Sequence, residues 1–223
     1  MADASEFLRL LERGPCDPSP AVFNPWRDHD ERDRSPRRDM PAKRRENMQA
    51  YLETRTRTAK VMLLGEAPSH RGCRFSGIPF CSEVELTHKA DLVARRRLEL
   101  TSAVADTKPM SERSAAIIWG EMESAGVARE VVLWNAFPWH PYGEITTSNR
   151  KPRNQEVEEG REVLRALMRC FTHELQVFAV GKVAEQALGR WGEVECSGYI
   201  RHPSMGGEAR FRSQFRELVL PRL

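Results

Sequence analysis

The sequence predicts an α/β fold: a three-layer αβα sandwich around a central four-stranded parallel sheet. Three observations carry that expectation. Short apolar runs recur at residues 61–64 (VMLL), 131–134 (VVLW) and 177–180 (VFAV), with a weaker one at 198–200. Helical patterns separate them. The runs are apolar throughout rather than alternating, which is the pattern of strands buried on both faces. At 223 residues the chain suits one domain with a sizeable core.

Taken in order, residues 1–60 read as an arm and helix packing on a body formed by residues 61–223. Asp3-Ala4-Ser5 can cap a short helix running through Glu12. A stretch rich in Pro, Arg and Asp comes next, and within it AVFNPW (21–26) is an apolar knot that docks on the body. Residues 27–40 read as a mobile loop of mixed charge. Pro41 opens a helix through about Thr54, since its missing N–H costs nothing in a first turn. The strands of the body are separated by helices at roughly 85–105, 111–125 and 154–170, with another at 182–190. The chain shows no internal repeat and no low-complexity tract.

Composition bounds the partners. The chain carries 35 basic and 32 acidic residues, a net charge of +3, which permits an anionic partner without demanding one. The five cysteines, Cys16, Cys73, Cys81, Cys170 and Cys196, are odd in number and include no C-x-x-C pair. That argues against a disulfide framework and a simple zinc or iron–sulfur site, and points to a reducing, cytoplasmic setting. The N-terminus lacks a basic start followed by a long apolar run, and no stretch approaches the ~18 apolar residues of a membrane span.

In parallel sheets of this kind, ligands bind at the carboxyl ends of the strands. The first run leads into Gly65-Glu66-Ala67-Pro68-Ser69-His70 and then Ser76-Gly77-Ile78-Pro79-Phe80. The second leads into Asn135-Ala136-Phe137-Pro138-Trp139-His140-Pro141, the third into Gly181-Lys182, and the fourth into Arg201-His202-Pro203-Ser204-Met205-Gly206-Gly207. Three of these four ends carry hydrogen-bonding or ionisable groups beside prolines and glycines. Three on one edge suggest a site.

Together these segments resemble the uracil-DNA glycosylase superfamily over roughly residues 60–215. GEAP followed by SGIPF is most like the family-four enzymes, Asn135 matches the uracil-reading asparagine, and HPS in RHPSMGG matches the histidine-bearing DNA loop. The departures are specific. The cysteine spacing of the family-four iron–sulfur cluster is absent, so no cofactor or metal is expected. Ala67 and Ser69 stand where family-one enzymes carry Asp and Tyr.

The resemblance implies a monofunctional glycosylase that flips uracil out of single- or double-stranded DNA, hydrolyses the glycosidic bond and leaves an abasic site. It assigns Glu66 to the water or the sugar cation, with His70 in support, and His202 as a donor to uracil O2. Ala67, through its backbone, Phe80, by stacking, and Asn135, by its amide, would hold the base. Ser204 and Arg201 would meet phosphates, with Arg210, Arg212 and Lys182 nearby, and Met205 would wedge into the emptied stack. His140 is as well suited to packing as to chemistry. The run Arg95-Arg96-Arg97 reads as a helix surface, and interleaved acids weaken the case for DNA binding by the N-terminal loop. A monomer is expected. Two other readings stay open: a noncatalytic or slow binder of uracil-containing or abasic DNA, and a glycosylase for another deaminated base.

Overall fold

The computed structural model describes residues 2–15 and 21–223; Cys16, Pro18 and Pro20 lie outside the described residues. The first helix, α1 (Ala2–Arg13), begins before the expected cap, so Asp3-Ala4-Ser5 lies within it. A two-residue strand, β1 (Val22–Phe23), comes next, and then α2 (Met40–Glu53). Asp39 caps α2 by accepting from the Ala42 N–H at 2.8 Å, and Pro41 occupies its first turn.

The body opens with β2 (Val61–Gly65), then α3 (Cys73–Ser76), α4 (Glu83–His88), α5 (Ala90–Ala94) and α6 (Arg113–Ser124). After these come β3 (Val131–Asn135), β4 (His140–Pro141), α7 (Asn154–Met168), β5 (Gln176–Val180), α8 (Lys182–Trp191), β6 (Cys196–Ile200) and α9 (Glu208–Gln214). The expected helix over 85–105 is therefore two short ones: the chain turns at Lys89, and Arg95 adopts a left-handed backbone that ends the second. The helix α9 is not among those the sequence pattern predicts.

The central sheet has the order β3-β2-β5-β6, with every pairing parallel. β2, β3 and the last four residues of β5 are wholly buried, which is why they read as continuous apolar runs. The chain starts in the middle with β2, steps to β3 on one side, then returns past β2 to β5 on the other. Right-handed crossovers put the connecting helices of those two steps on opposite faces, giving the three layers. The same reversal opens a crevice at the carboxyl ends of β2 and β5. On the outer edge, the Leu133 N–H is satisfied by the Tyr51 hydroxyl at 2.8 Å.

The apolar knot docks as expected. Trp26 is fully buried, stacks on Trp134 at 6.4 Å and donates to the Gly77 carbonyl at 3.1 Å. The segment after it departs from the expected mobile loop. Asp30 and Asp33 are buried and pair with Arg74 and Arg44, which are buried too. Burial alone would raise the Asp30 carboxyl, but Arg32 and Arg74 hold it far below the usual carboxylate range. These charges have partners distant in sequence, so composition alone presented them as solvated.

Candidate active site

The loops after β2, β5 and β6 enclose a cleft of about 620 Å³. Its floor is set by how the tips of β2 and β3 are latched. The Ala136 N–H donates to the Gly65 carbonyl at 2.8 Å, and the Phe137 N–H donates to the Glu66 carbonyl at 3.0 Å. Glu66, Ala67 and His70 line the cleft from the β2 side, and Arg201, His202 and Ser204 from the β6 side.

Gly65 is required where it stands. A Cβ there would collide with the Phe80 ring and come within 2.9 Å of Asn135 Oδ1. The ring and the amide therefore converge over a bare strand tip. Phe80 itself has φ of +51°, an unfavourable backbone for a bulky residue, and the Trp119 indole secures it by donating to its carbonyl at 2.9 Å. Asn135 is 1 % exposed, and its Oδ1 has no hydrogen-bond partner among the described residues. It sits behind Phe80 rather than on the open wall. A buried amide oxygen without a donor costs about 1–3 kcal/mol.

His202 faces Phe80, with ring centroids 5.9 Å apart. Its tautomer is legible from its neighbours. The Ser204 backbone N–H points at Nδ1 from 3.2 Å, and the Ser204 hydroxyl lies 2.7 Å from the same atom. A backbone N–H can only donate, so Nδ1 is the acceptor and the proton resides on Nε2. Burial, aided by Arg201, pushes the His202 pKa down to about 4, so the ring is neutral near pH 7. The result is a fixed, uncharged Nε2–H donor. Ser204 is thus committed to His202 rather than free for phosphate alone.

Glu66 is partly buried. Burial pushes its pKa up, and Lys151 nearby pulls it back. The Ala67 N–H has no protein acceptor among the described residues. His70 is pinned by Asn149, whose Oδ1 accepts from the His70 backbone N–H at 2.9 Å and lies 3.3 Å from Nδ1; burial lowers the His70 pKa.

His140 is outside the cleft. It is fully buried, with Nδ1 2.7 Å from Arg74 Nη1 and Nε2 3.1 Å from the Ser148 carbonyl, and burial and Arg74 lower its pKa to about 3. It anchors the 141–150 loop. Met205 is 91 % exposed and has φ of +53° on the HPS loop. Arg210 is exposed on α9, away from the cleft lining.

Glu112, just before α6, does not stand out in the sequence. It leaves its own helix uncapped and packs against the Gly72 backbone beside the Ser69 hydroxyl. Burial pushes its pKa up to about 7, opposed by Ser69 and reinforced by Glu85. In sequence it reads as an ordinary acid ahead of a helix.

No curated protein matches this chain by sequence. Among solved structures, the fold is similar to the crystal structure of wild-type SMUG2 from Pedobacter heparinus, with a TM-score of 0.63 at 12 % identity, covering 96 % of this chain and 95 % of that one. The family model described as the uracil DNA glycosylase superfamily matches residues 53–221, which span the sheet and every loop of the cleft. With well over half of its length in that match, the chain belongs to the uracil-DNA glycosylase superfamily.

Proposed function

We propose that this protein is a monofunctional DNA glycosylase that removes uracil from DNA by hydrolysis. The observation that carries the reading is the orphaned Asn135 Oδ1, buried behind Phe80 at the β3 tip beside the cleft. Uracil offers an N3–H donor to that oxygen and an O4 acceptor to the amide nitrogen; cytosine reverses both. Family membership supplies the reaction class.

The steps derive from the groups present. Unstacking the nucleotide costs a few kcal/mol, and Phe80 returns part of that by stacking on the base. The C1′–N1 bond breaks with its electron pair passing to the base. Negative charge grows on O2, where the His202 Nε2–H and the Ala67 N–H donate. A neutral imidazole stabilises that charge without protonating the base. The sugar cation is met by Glu66, which orients a water; its oxygen bonds to C1′ and its proton leaves through the carboxylate. Glu66 must therefore be ionised in the complex. The products are free uracil and an abasic site, and no step calls for a covalent enzyme intermediate.

The test is release of uracil from an oligonucleotide with one uracil, read by alkaline strand cleavage, with Glu66→Gln alongside. Cleavage by wild type and a loss of at least about tenfold in the variant would support the assignment. Tight binding without release would favour a lesion binder. Release of another deaminated base but not uracil would redirect the reading to that base.

A further inference from the structure

A second, smaller groove of about 280 Å³ adjoins the cleft and shares His70, Arg71 and Ser111 with it. Its remaining wall includes Arg32, Val104 and Lys108, and no acidic residue lines it. The segments that build it lie far apart in the chain: the Asp30–Asp33 turn, the loop after β2, the 104–111 loop and Thr147. Two of them are tied together, since Asp33 bridges to Ser102 and the Ala103 N–H donates to the Arg32 carbonyl at 2.7 Å. The groove is therefore a built feature rather than a gap between loose loops.

Its charges differ in how they are engaged. Arg32 is held by Asp30 through two contacts of 2.9 Å. Arg71 and Lys108 are exposed, and neither side chain has an ion pair or hydrogen bond among the described residues. Among the other cations lining the cleft, Arg113 is taken up by Glu208, Lys182 by Glu185 and Arg150 by Glu156, while Lys151 and Arg201 have no ion pair among the described residues. Uncommitted cations gathered in an acid-free groove that opens into the cleft match a chain of phosphates spaced along a strand.

We propose that this groove binds the phosphodiester backbone of the damaged strand on one side of the flipped nucleotide, with Arg71 and Lys108 each neutralising a phosphate. The inference rests on the glycosylase reading of the cleft. It adds a one-sided footprint: nucleotides in one direction from the lesion contribute to binding, and those in the other do not use this groove.

The experiment compares wild type, Arg71→Ala/Lys108→Ala and Lys108→Glu. Binding and single-turnover uracil release are measured over a range of salt. The substrates are single-uracil oligonucleotides, full length or trimmed to two nucleotides on the 5′ or the 3′ side. The double variant is expected to need roughly tenfold more DNA for half-saturation, with its maximal rate within about twofold of wild type. The slope of log affinity against log salt should shrink by about two, near 0.9 per phosphate lost. Trimming one side, and only that side, should abolish the difference between wild type and variant. An unchanged salt slope, or a difference that survives trimming of either side, would overturn the proposal. Wild type that binds DNA but releases no uracil would count against the glycosylase reading instead, and the binding slopes would still decide the groove.

Discussion

The two ends of the central sheet are built on opposite principles. At the amino end, Arg55 is fully buried with no carboxylate partner, yet it is satisfied. It donates to the carbonyls of Val131 at 3.1 Å, Ala128 at 2.9 Å, Leu92 at 3.0 Å and Val93 at 2.6 Å, and lies 3.9 Å over the Tyr51 ring. At the carboxyl end the reverse holds. Asn135 Oδ1 is orphaned, the Ala67 N–H is uncommitted, and Phe80 and Met205 hold left-handed backbones. One end spends its polar groups on the fold; the other leaves several of them unspent. Mutations at the first should damage stability and spare chemistry, and mutations at the second should do the opposite.

Arg55 is the most damaging place to strike the amino end. Arg55→Ala leaves several buried carbonyls without a donor and should cost about 3–5 kcal/mol of stability, read by denaturant melts. Base release per folded molecule should be unchanged. A loss of release in the folded fraction would mean that the two ends are not separable.

Next is His202→Ala at the carboxyl end. Removing one donor to a developing anion should lower the maximal rate by on the order of 10²–10³ with little change in melting. With its pKa near 4, His202 stays neutral throughout pH 5–8, so the ratio of wild type to variant should be flat across that window. A ratio that collapses as pH falls from 7 to 5 would show that the ring is charging in that range.

Glu112 lines the cleft, yet its proton should also affect stability. Its folded pKa, about 7, lies above its ordinary 4.5. The folded state thus holds the proton more tightly, and the stability this contributes is fully present below pH 4.5 and lost as pH rises through about 7. The loss should be on the order of 2–3 kcal/mol, and Glu112→Gln should remove that slope. His140 acts in the other direction: its pKa is lowered to about 3, so stability falls as pH drops from 6.5 toward 3. Melts of wild type and Glu112→Gln from pH 4 to 8 separate the two limbs.

Much of the carboxyl end was legible in the sequence because its groups lie next to strand ends. Glu66, Ala67, His70, Phe80, Arg201, His202 and Ser204 line one cleft, and all but Phe80, which follows α3, stand within a short loop that begins where an apolar run stops. The features that were not legible depend on contacts between distant segments. Residues 27–40 looked solvated because Asp30 and Asp33 meet Arg74 and Arg44 only in three dimensions. Glu112 and the acid-free groove escaped for the same reason, since each is assembled from loops remote in the chain. Asn135 was found at its strand tip, but that its oxygen is orphaned behind Phe80 depends on the bare Gly65 backbone and the strained Phe80 turn.

If the carboxyl end holds unspent polar groups for a flipped base, Asn135→Ala removes one of them. Uracil release and thermal melting would be measured on the same preparation. Release should fall about a hundredfold or more, with melting little changed because the missing Oδ1 had no protein partner among the described residues. Full activity in the variant, or a loss matched by unfolding, would contradict it.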